Sequence, residues 1–292
     1  MQNLETQKVK TFMQAPVVET EELNNLFFEL TNKSCNLKCS HCYIERNSFK
    51  KEKDFLPIDK IKQALLSVRK ENIKSIYLTG GEPMTHPDFN SILRMCLKIS
   101  NTTVITNGTF INDKKARFLK KIDNESEYET IYRISFEHFD EKKNDVIRGR
   151  GSFRKALFAL QNLYKYDFNP IINITSYYKE KRETMFEGFS ELCAKFGFEL
   201  GQINLKIIPY FDSNPKTFKQ IENEEINEDR LDCKNSRIIS SKGIFTCPIL
   251  CNDFRARCGY SIENFARKIY LDTEKCHTCI HHNTKAFAND WM

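Results

Sequence analysis

The chain has 292 residues, 40% of them apolar, and its 45 basic against 39 acidic side chains leave a charge of +6. That length can bury one large core or two domains. No run is long and apolar enough to span a bilayer, the start lacks the charged-then-apolar pattern of a secretory signal, and the positive charge is too dispersed for a nucleic-acid stripe. The densest basic run, Lys50, Lys51 and Lys53, is expected to be a solvated loop. Eleven cysteines clustered in two patches, in a chain this long, point to metal centres in a reducing compartment rather than to a disulfide scaffold. A soluble, cytoplasmic protein is expected, with neither membrane nor nucleic acid as partner.

Residues 1–22 have no convincing periodicity and are expected to form a leader or strand-like flap, too short to hold a core of its own. Leu23–Leu30 reads as a strand that delivers the chain into the first cysteine patch. Pro57 then opens a helix with Ile58, Ile61, Leu65 and Val68 at helical spacing. Strands over Ile73–Thr79, Thr102–Thr106, Thr130–Phe136, Ile171–Thr175 and Ile203–Tyr210 alternate with helices over Pro87–Ile99, Asp113–Lys121, Phe153–Tyr164 and Glu183–Phe196. Six strand-then-helix repeats imply parallel pairing with right-handed crossovers, hence an α/β sheet or partial barrel over 23–211. Chemistry in such folds gathers at the C-terminal ends of the strands. Residues 212–232, rich in Asn, Glu, Asp and Lys, are expected to be a polar linker, and a second domain is expected over 233–292.

Cys35-Asn36-Leu37-Lys38-Cys39-Ser40-His41-Cys42 packs three thiols into one turn after the first strand. Thiolates select iron–sulfur clusters and zinc, and structural zinc wants four closed ligands. Three ligands leave one metal corner open to something that is not protein. Gly80-Gly81-Glu82-Pro83 follows the second strand; its glycines let the backbone turn tightly and approach a ligand, and the Glu82 carboxylate is placed to meet a cation. Asn107 and Ser135 stand at the ends of the next two strands, as ligand contacts or as turn formers and caps. Arg148-Gly149-Arg150-Gly151 either offers guanidinium groups to a carboxylate or phosphate or forms a mobile glycine-rich loop.

The cysteine spacing, followed one βα unit later by Gly-Gly-Glu-Pro, resembles the radical S-adenosylmethionine (SAM) family. The resemblance implies a partial (β/α)6 barrel, a 4Fe–4S cluster on Cys35, Cys39 and Cys42, and SAM chelating the fourth iron. It further implies that Gly80, Gly81 and Glu82 set the site for the SAM amine, that the backbone at His41 lies near the adenine, and that Asn107 and Ser135 lie near the ribose and the substrate. No catalytic acid or base is assigned, because the chemistry comes from the cofactor.

The second patch contains Cys233, Cys247, Cys251, Cys258, Cys276 and Cys279. Cys233 and Cys247 bracket a hairpin that turns at Gly243, and Cys276 and Cys279 form a C-x-x-C pair, which together make a full four-thiol shell for iron–sulfur or zinc. Cys251 or Cys258 could substitute in that shell. The arrangement resembles the small Cys-rich SPASM and twitch extensions of radical SAM enzymes, which implies an auxiliary 4Fe–4S cluster supporting net oxidation or bond formation. Two further thiols, Cys96 and Cys193, fall on predicted helices and are expected to be buried, whereas His281 and His282 are expected to be exposed. A peptide maturase, or an enzyme acting on a small biosynthetic intermediate, is expected, with flavodoxin or ferredoxin as electron donor and a separate recognition protein for a peptide substrate. A different class of reading is a non-catalytic iron–sulfur or zinc sensor.

Overall fold

The computed structural model describes residues 15–44, 54–70, 72–211, 226–271, 273–282 and 285–289. The Lys50–Lys53 run and most of the expected linker, 212–225, lie outside the described residues.

One ten-stranded sheet dominates, in the order β11-β10-β9-β8-β2-β3-β4-β5-β6-β7. Its parallel core is β2 (Asn25–Thr31), β3 (Ser75–Gly80), β4 (Asn101–Thr106), β5 (Thr130–Phe136), β6 (Ile171–Thr175) and β7 (Leu205–Ile208). The helices between them are α1 (Ile58–Ser67), α2 (Phe89–Cys96), α3 (Asp113–Asn124), α4 (Glu141–Arg148), α5 (Ser152–Lys165) and α6 (Arg182–Ala194). They form the crossovers that parallel pairs require, α4 and α5 sharing the one between β5 and β6.

Alternation along the strands decides what faces where. Leu26, Phe28, Ile76, Leu78, Val104, Ile134, Phe136, Ile172 and Ile174 pack into the core shared with the helices. The intervening positions, which include Thr79, Arg133, Ser135, Asn173 and Thr175, line a cavity on the other face. Cys96 and Cys193 are buried in the core, as their helical positions predict.

The hairpin of the second cysteine patch joins this same sheet. β8 (Ser236–Ser240) pairs parallel with β2, Asn25 opposite Ser236, and β9 (Gly243–Phe245), β10 (Arg257–Ser261) and β11 (Asn264–Phe265) continue it antiparallel. A separate two-stranded sheet pairs β1 (Val17–Glu19) with β12 (Lys268–Tyr270), and α7 (Glu274–His282) follows.

Two stretches differ from the sequence reading. Residues 148–151 are not simply a mobile loop: Arg148 is the buried last residue of α4, the Asp145 carboxylate accepts from the backbone of Gly151 and Phe153, and α5 begins at once. Residues 285–289, which no periodicity marks, are buried: Ala286, Phe287, Ala288 and Asn289 are all at most 6% exposed. His281 and His282, at the end of α7, are exposed as expected.

Candidate active site

The cysteine turn is fastened to the end of β3 by backbone contacts that tolerate only glycine. Gly81 N–H donates to Thr31 O at 2.6 Å and Glu82 N–H to Ser34 O at 2.9 Å. Gly80 has φ +125°, and a Cβ there would overlap the Thr31 carbonyl; one on Gly81 would lie 2.5 Å from the Ser34 carbonyl oxygen. Both glycines let two backbone segments approach each other, where the sequence reading had them turn tightly and approach a ligand.

Glu82 lies elsewhere than expected. It is fully buried and does not line the cavity: Oε1 accepts from Thr106 Oγ1 at 2.7 Å and Met84 N–H at 3.1 Å, and Oε2 from Asn107 N–H at 2.9 Å. Burial raises its pKa against the pull of those hydrogen bonds. Its carboxyl group ties the end of β3 to the end of β4, and through Asn107 reaches the turn, where Asn107 Nδ2 donates to Asn36 Oδ1 at 2.9 Å.

An open cavity lies at the C-terminal ends of β3–β6. Cys35, Cys39, Cys42, His41, Gly80, Gly81, Asn107 and Ser135 all line it, so every residue proposed from the sequence for this site reaches it except Glu82. Its other polar walls are Lys38, Arg133, Arg148, Asn173, Thr175 and Tyr210; no aspartate or glutamate is among its described lining residues. Burial pushes the Cys35 thiol up to about 11, so a metal must displace a proton to bind there.

The sequence reading missed the pairing of Glu137 with Arg148. Glu137, just past β5, is 1% exposed, and its Oε1 lies 2.7 Å from Arg148 Nη1 and 2.7 Å from His41 Nε2. Burial works against the Arg148 charge, but the Cys39 thiol and the Glu137 carboxylate outweigh it and raise its pKa. The available signal was a strand ending in Ser-Phe-Glu, followed by a helix whose last turn carries an arginine.

The four thiols proposed for the second shell meet around one smaller cavity. Cys233 sits in the turn before β8, Cys247 follows β9, and Cys276 and Cys279 are a turn apart on α7. Burial raises all the resolved thiol pKa values here, that of Cys247 to about 12, with neighbouring thiols adding to the shift. Cys251 and Cys258 do not line the cavity: Cys251 Sγ accepts from Asn252 Nδ2 at 3.6 Å beside Glu29, and Cys258 Sγ lies 3.7 Å from the Ala256 carbonyl. At each site the thiols line one common cavity.

Phe287, in the segment 285–289, lines both cavities, as does Ile249. Asp232, next to Cys233, accepts from the N–H groups of Phe287 and Ala288 at 2.8 and 2.9 Å. Tyr77 Oη accepts from Asn289 N–H at 2.8 Å, Lys206 Nζ donates to Lys285 O at 2.8 Å, and Arg133 donates to the Phe287 carbonyl and to Asn173 Oδ1.

The sequence pattern of the Radical SAM superfamily matches residues 31–190. The antilisterial bacteriocin subtilosin biosynthesis protein AlbA of Bacillus subtilis is 34% identical over 138 residues, 47% of this chain and 29% of that protein. The S-adenosylmethionine-dependent nucleotide dehydratase RSAD2 of Oncorhynchus mykiss is 29% identical over 173 residues, 53% of this chain and 46% of that protein. The chain therefore spans less than half the length of these curated relatives. Its fold matches that of Streptococcus suis SuiB bound to precursor peptide SuiA, with a TM-score of 0.61 at 16% identity over 88% of this chain and 66% of the other.

Proposed function

The chain belongs to the radical SAM superfamily and is an enzyme that uses a 4Fe–4S cluster and SAM; from that premise we propose that it modifies a peptide by abstracting a substrate hydrogen. A 4Fe–4S cluster held at the first site would supply the electron for reductive cleavage of SAM, the chemistry that yields a radical able to take a hydrogen atom.

The protein's own tasks are to hold, orient and enclose. Cys35, Cys39 and Cys42 ligate the cluster and leave one iron to SAM. Gly80 and Gly81 offer backbone groups to the SAM amine. Arg148, fixed by Glu137 beside Cys39, offers its fork to the SAM carboxylate. Asn107 and Ser135 face the ribose side of the cavity, Glu82 holds the two strand ends in register, and His41 is braced against Glu137. Arg133, Asn173 and Tyr210 face the substrate end, with Phe211, Ile249 and Phe287 excluding water. One observation carries the reading: the thiol turn, the glycine strand end and Arg148, held from behind by Glu137, all open on a single cavity.

The four thiols of Cys233, Cys247, Cys276 and Cys279 form, in this reading, the ligand shell of an auxiliary 4Fe–4S cluster. The cluster domain covers 233–292 and the barrel 23–211. A cluster held by these thiols would supply an acceptor for the electron left on the substrate, as a net oxidation or bond formation requires. Flavodoxin or ferredoxin delivers the first electron, and a separate protein presents the peptide. Support for a peptide comes from likeness to proteins named for bacteriocin biosynthesis and for precursor-peptide binding; likeness to a nucleotide dehydratase favours nucleotides as the second class to assay.

The test is anaerobic reconstitution followed by iron, sulfide and zinc quantification and a 5′-deoxyadenosine assay under dithionite. Two clusters' worth of iron, falling to one when Cys35, Cys39 and Cys42 are all replaced by alanine, is the expected result. No 5′-deoxyadenosine from the wild type would overturn the proposal, and zinc at the second site would remove the oxidative role.

A further inference from the structure

Arg237, on β8, is 0% exposed and is one of the two largest side chains fully buried in the described structure. Its Nη1 donates to the carbonyl of Cys233 at 2.9 Å and to that of Ser236 at 2.6 Å, and Nη2 donates to Thr20 Oγ1 at 2.6 Å. Its guanidinium carbon stands 5.1 Å from the centre of the Phe265 ring. Among the described residues no carboxylate forms an ion pair with it. The groups that favour its charge are the thiols of Cys258, Cys233 and Cys247, while burial and the nearby Arg267 oppose it.

A buried cation persists only where something repays its lost hydration. Neutral carbonyls, a hydroxyl and a ring do part of this. The remainder falls to charge held at the thiol site, whose Cys233 backbone carbonyl Arg237 already holds at 2.9 Å. Once the thiols ligate, they are thiolates, and a cluster with four thiolate ligands carries net negative charge in either redox state. Arg237 thus meets its electrostatic complement only when the second thiol site is filled.

We propose that Arg237 is the built-in counter-charge of the second thiol site, a positioning residue that raises the reduction potential of the cluster bound there. The inference rests on the reading of that site as an iron–sulfur site. A fixed positive charge stabilises the more negative, reduced form, and net charge and hydrogen bonding are the protein's levers on cluster potential.

The experiment is a redox titration, monitored by electron paramagnetic resonance, of the anaerobically reconstituted protein, with the first cluster as internal reference. Arg237→Gln is expected to move the second cluster to a more negative potential and leave the first in place, with Arg237→Lys returning it towards the wild-type value. Thr20→Asp places a carboxylate where the Thr20 hydroxyl now meets Nη2, neutralising Arg237 without removing it, and is expected to shift the second potential the same way, whereas Thr20→Asn leaves it unchanged. If Arg237→Gln fails to fold, the Thr20 pair decides alone. Unchanged potentials in Arg237→Gln and Thr20→Asp, or equal shifts in Arg237→Gln and Arg237→Lys, would overturn the proposal. Failure of the underlying reading is distinguishable, because the wild type itself would then hold only one cluster's worth of iron.

Discussion

At the first thiol site Cys35, Cys39 and Cys42 share one turn, Cys42 is exposed, and the space in front of them opens on an extended cavity. At the second, the four thiols come from a turn, a strand end and a helix, and close around a smaller space. An open ligand set leaves a coordination position for a reacting molecule, and a closed set does not. The charges follow the same division. Near the open site Arg148 is paired with Glu137, so its fork is aimed; near the closed site Arg237 has no carboxylate partner among the described residues, so its charge acts on whatever the thiols hold. In the proposed reading, one site binds a ligand and the other holds charge.

The largest expected effect tests that division directly. Replacing Cys35, Cys39 and Cys42 together with alanine is expected to abolish 5′-deoxyadenosine formation while iron at the second site remains, read by product chromatography and iron content. Loss of iron from both sites would mean that they do not assemble independently. Next comes Phe287, which lines both cavities. It stacks on Phe211 with ring centroids 6.1 Å apart and meets the edge of Tyr43, the residue after Cys42, at 6.5 Å. Phe287→Ala is expected to cost about 3–5 kcal/mol of stability, the usual range for a buried phenylalanine, measured by denaturant unfolding of the reconstituted protein. A loss below about 1 kcal/mol would show that the segment packs less tightly than its burial indicates.

Arg148 gives a smaller and more specific effect. Arg148→Met is expected to weaken SAM binding by roughly tenfold to a hundredfold, in keeping with the ~1.5–3 kcal/mol of hydrogen bonds to a charged group. Equilibrium binding of SAM to the reconstituted protein checks this, and an unchanged affinity would transfer the carboxylate contact to another residue of the cavity.

What was readable in the chain divides along physical lines. The strands β2–β7 were legible because each carries a short apolar run separated from the next by a helical period, and the thiol turn and hairpin were legible from spacing alone. α4 was not, since only Asn144, Ile147 and Arg148 of its eight residues are buried and it has no apolar stripe to read. Residues 285–289 were missed for a related reason. They are held mainly through backbone groups, by Asp232, Tyr77, Lys206 and Arg133, partners that only the folded sheet brings together. Glu82 was recognised as important, but its direction was not legible: a carboxylate after two glycines reads equally well as facing a ligand or as fastening two strands, and only the positions of Thr106 and Asn107 choose between them.

That choice leads to the smallest expected effect, a dependence on pH confined to the open site. Burial raises the pKa of Glu82 although three donors hold its carboxylate. A carboxyl group whose folded pKa lies above its unfolded value binds its proton more tightly in the folded state. Its contribution to stability is therefore fully present below the ordinary carboxylate range and is lost as pH rises through the raised value. Glu82→Gln removes this titration, at the cost of exchanging one acceptor oxygen for a donor beside Thr106 and Asn107. The stability of the wild type relative to Glu82→Gln is thus expected to fall as pH rises through that window, measured by thermal unfolding from the acid side to neutrality with SAM absent. A difference that grew with pH would mean that the three donors outweigh burial, leaving Glu82 charged in the folded protein and the end of β3 held by an ionised staple.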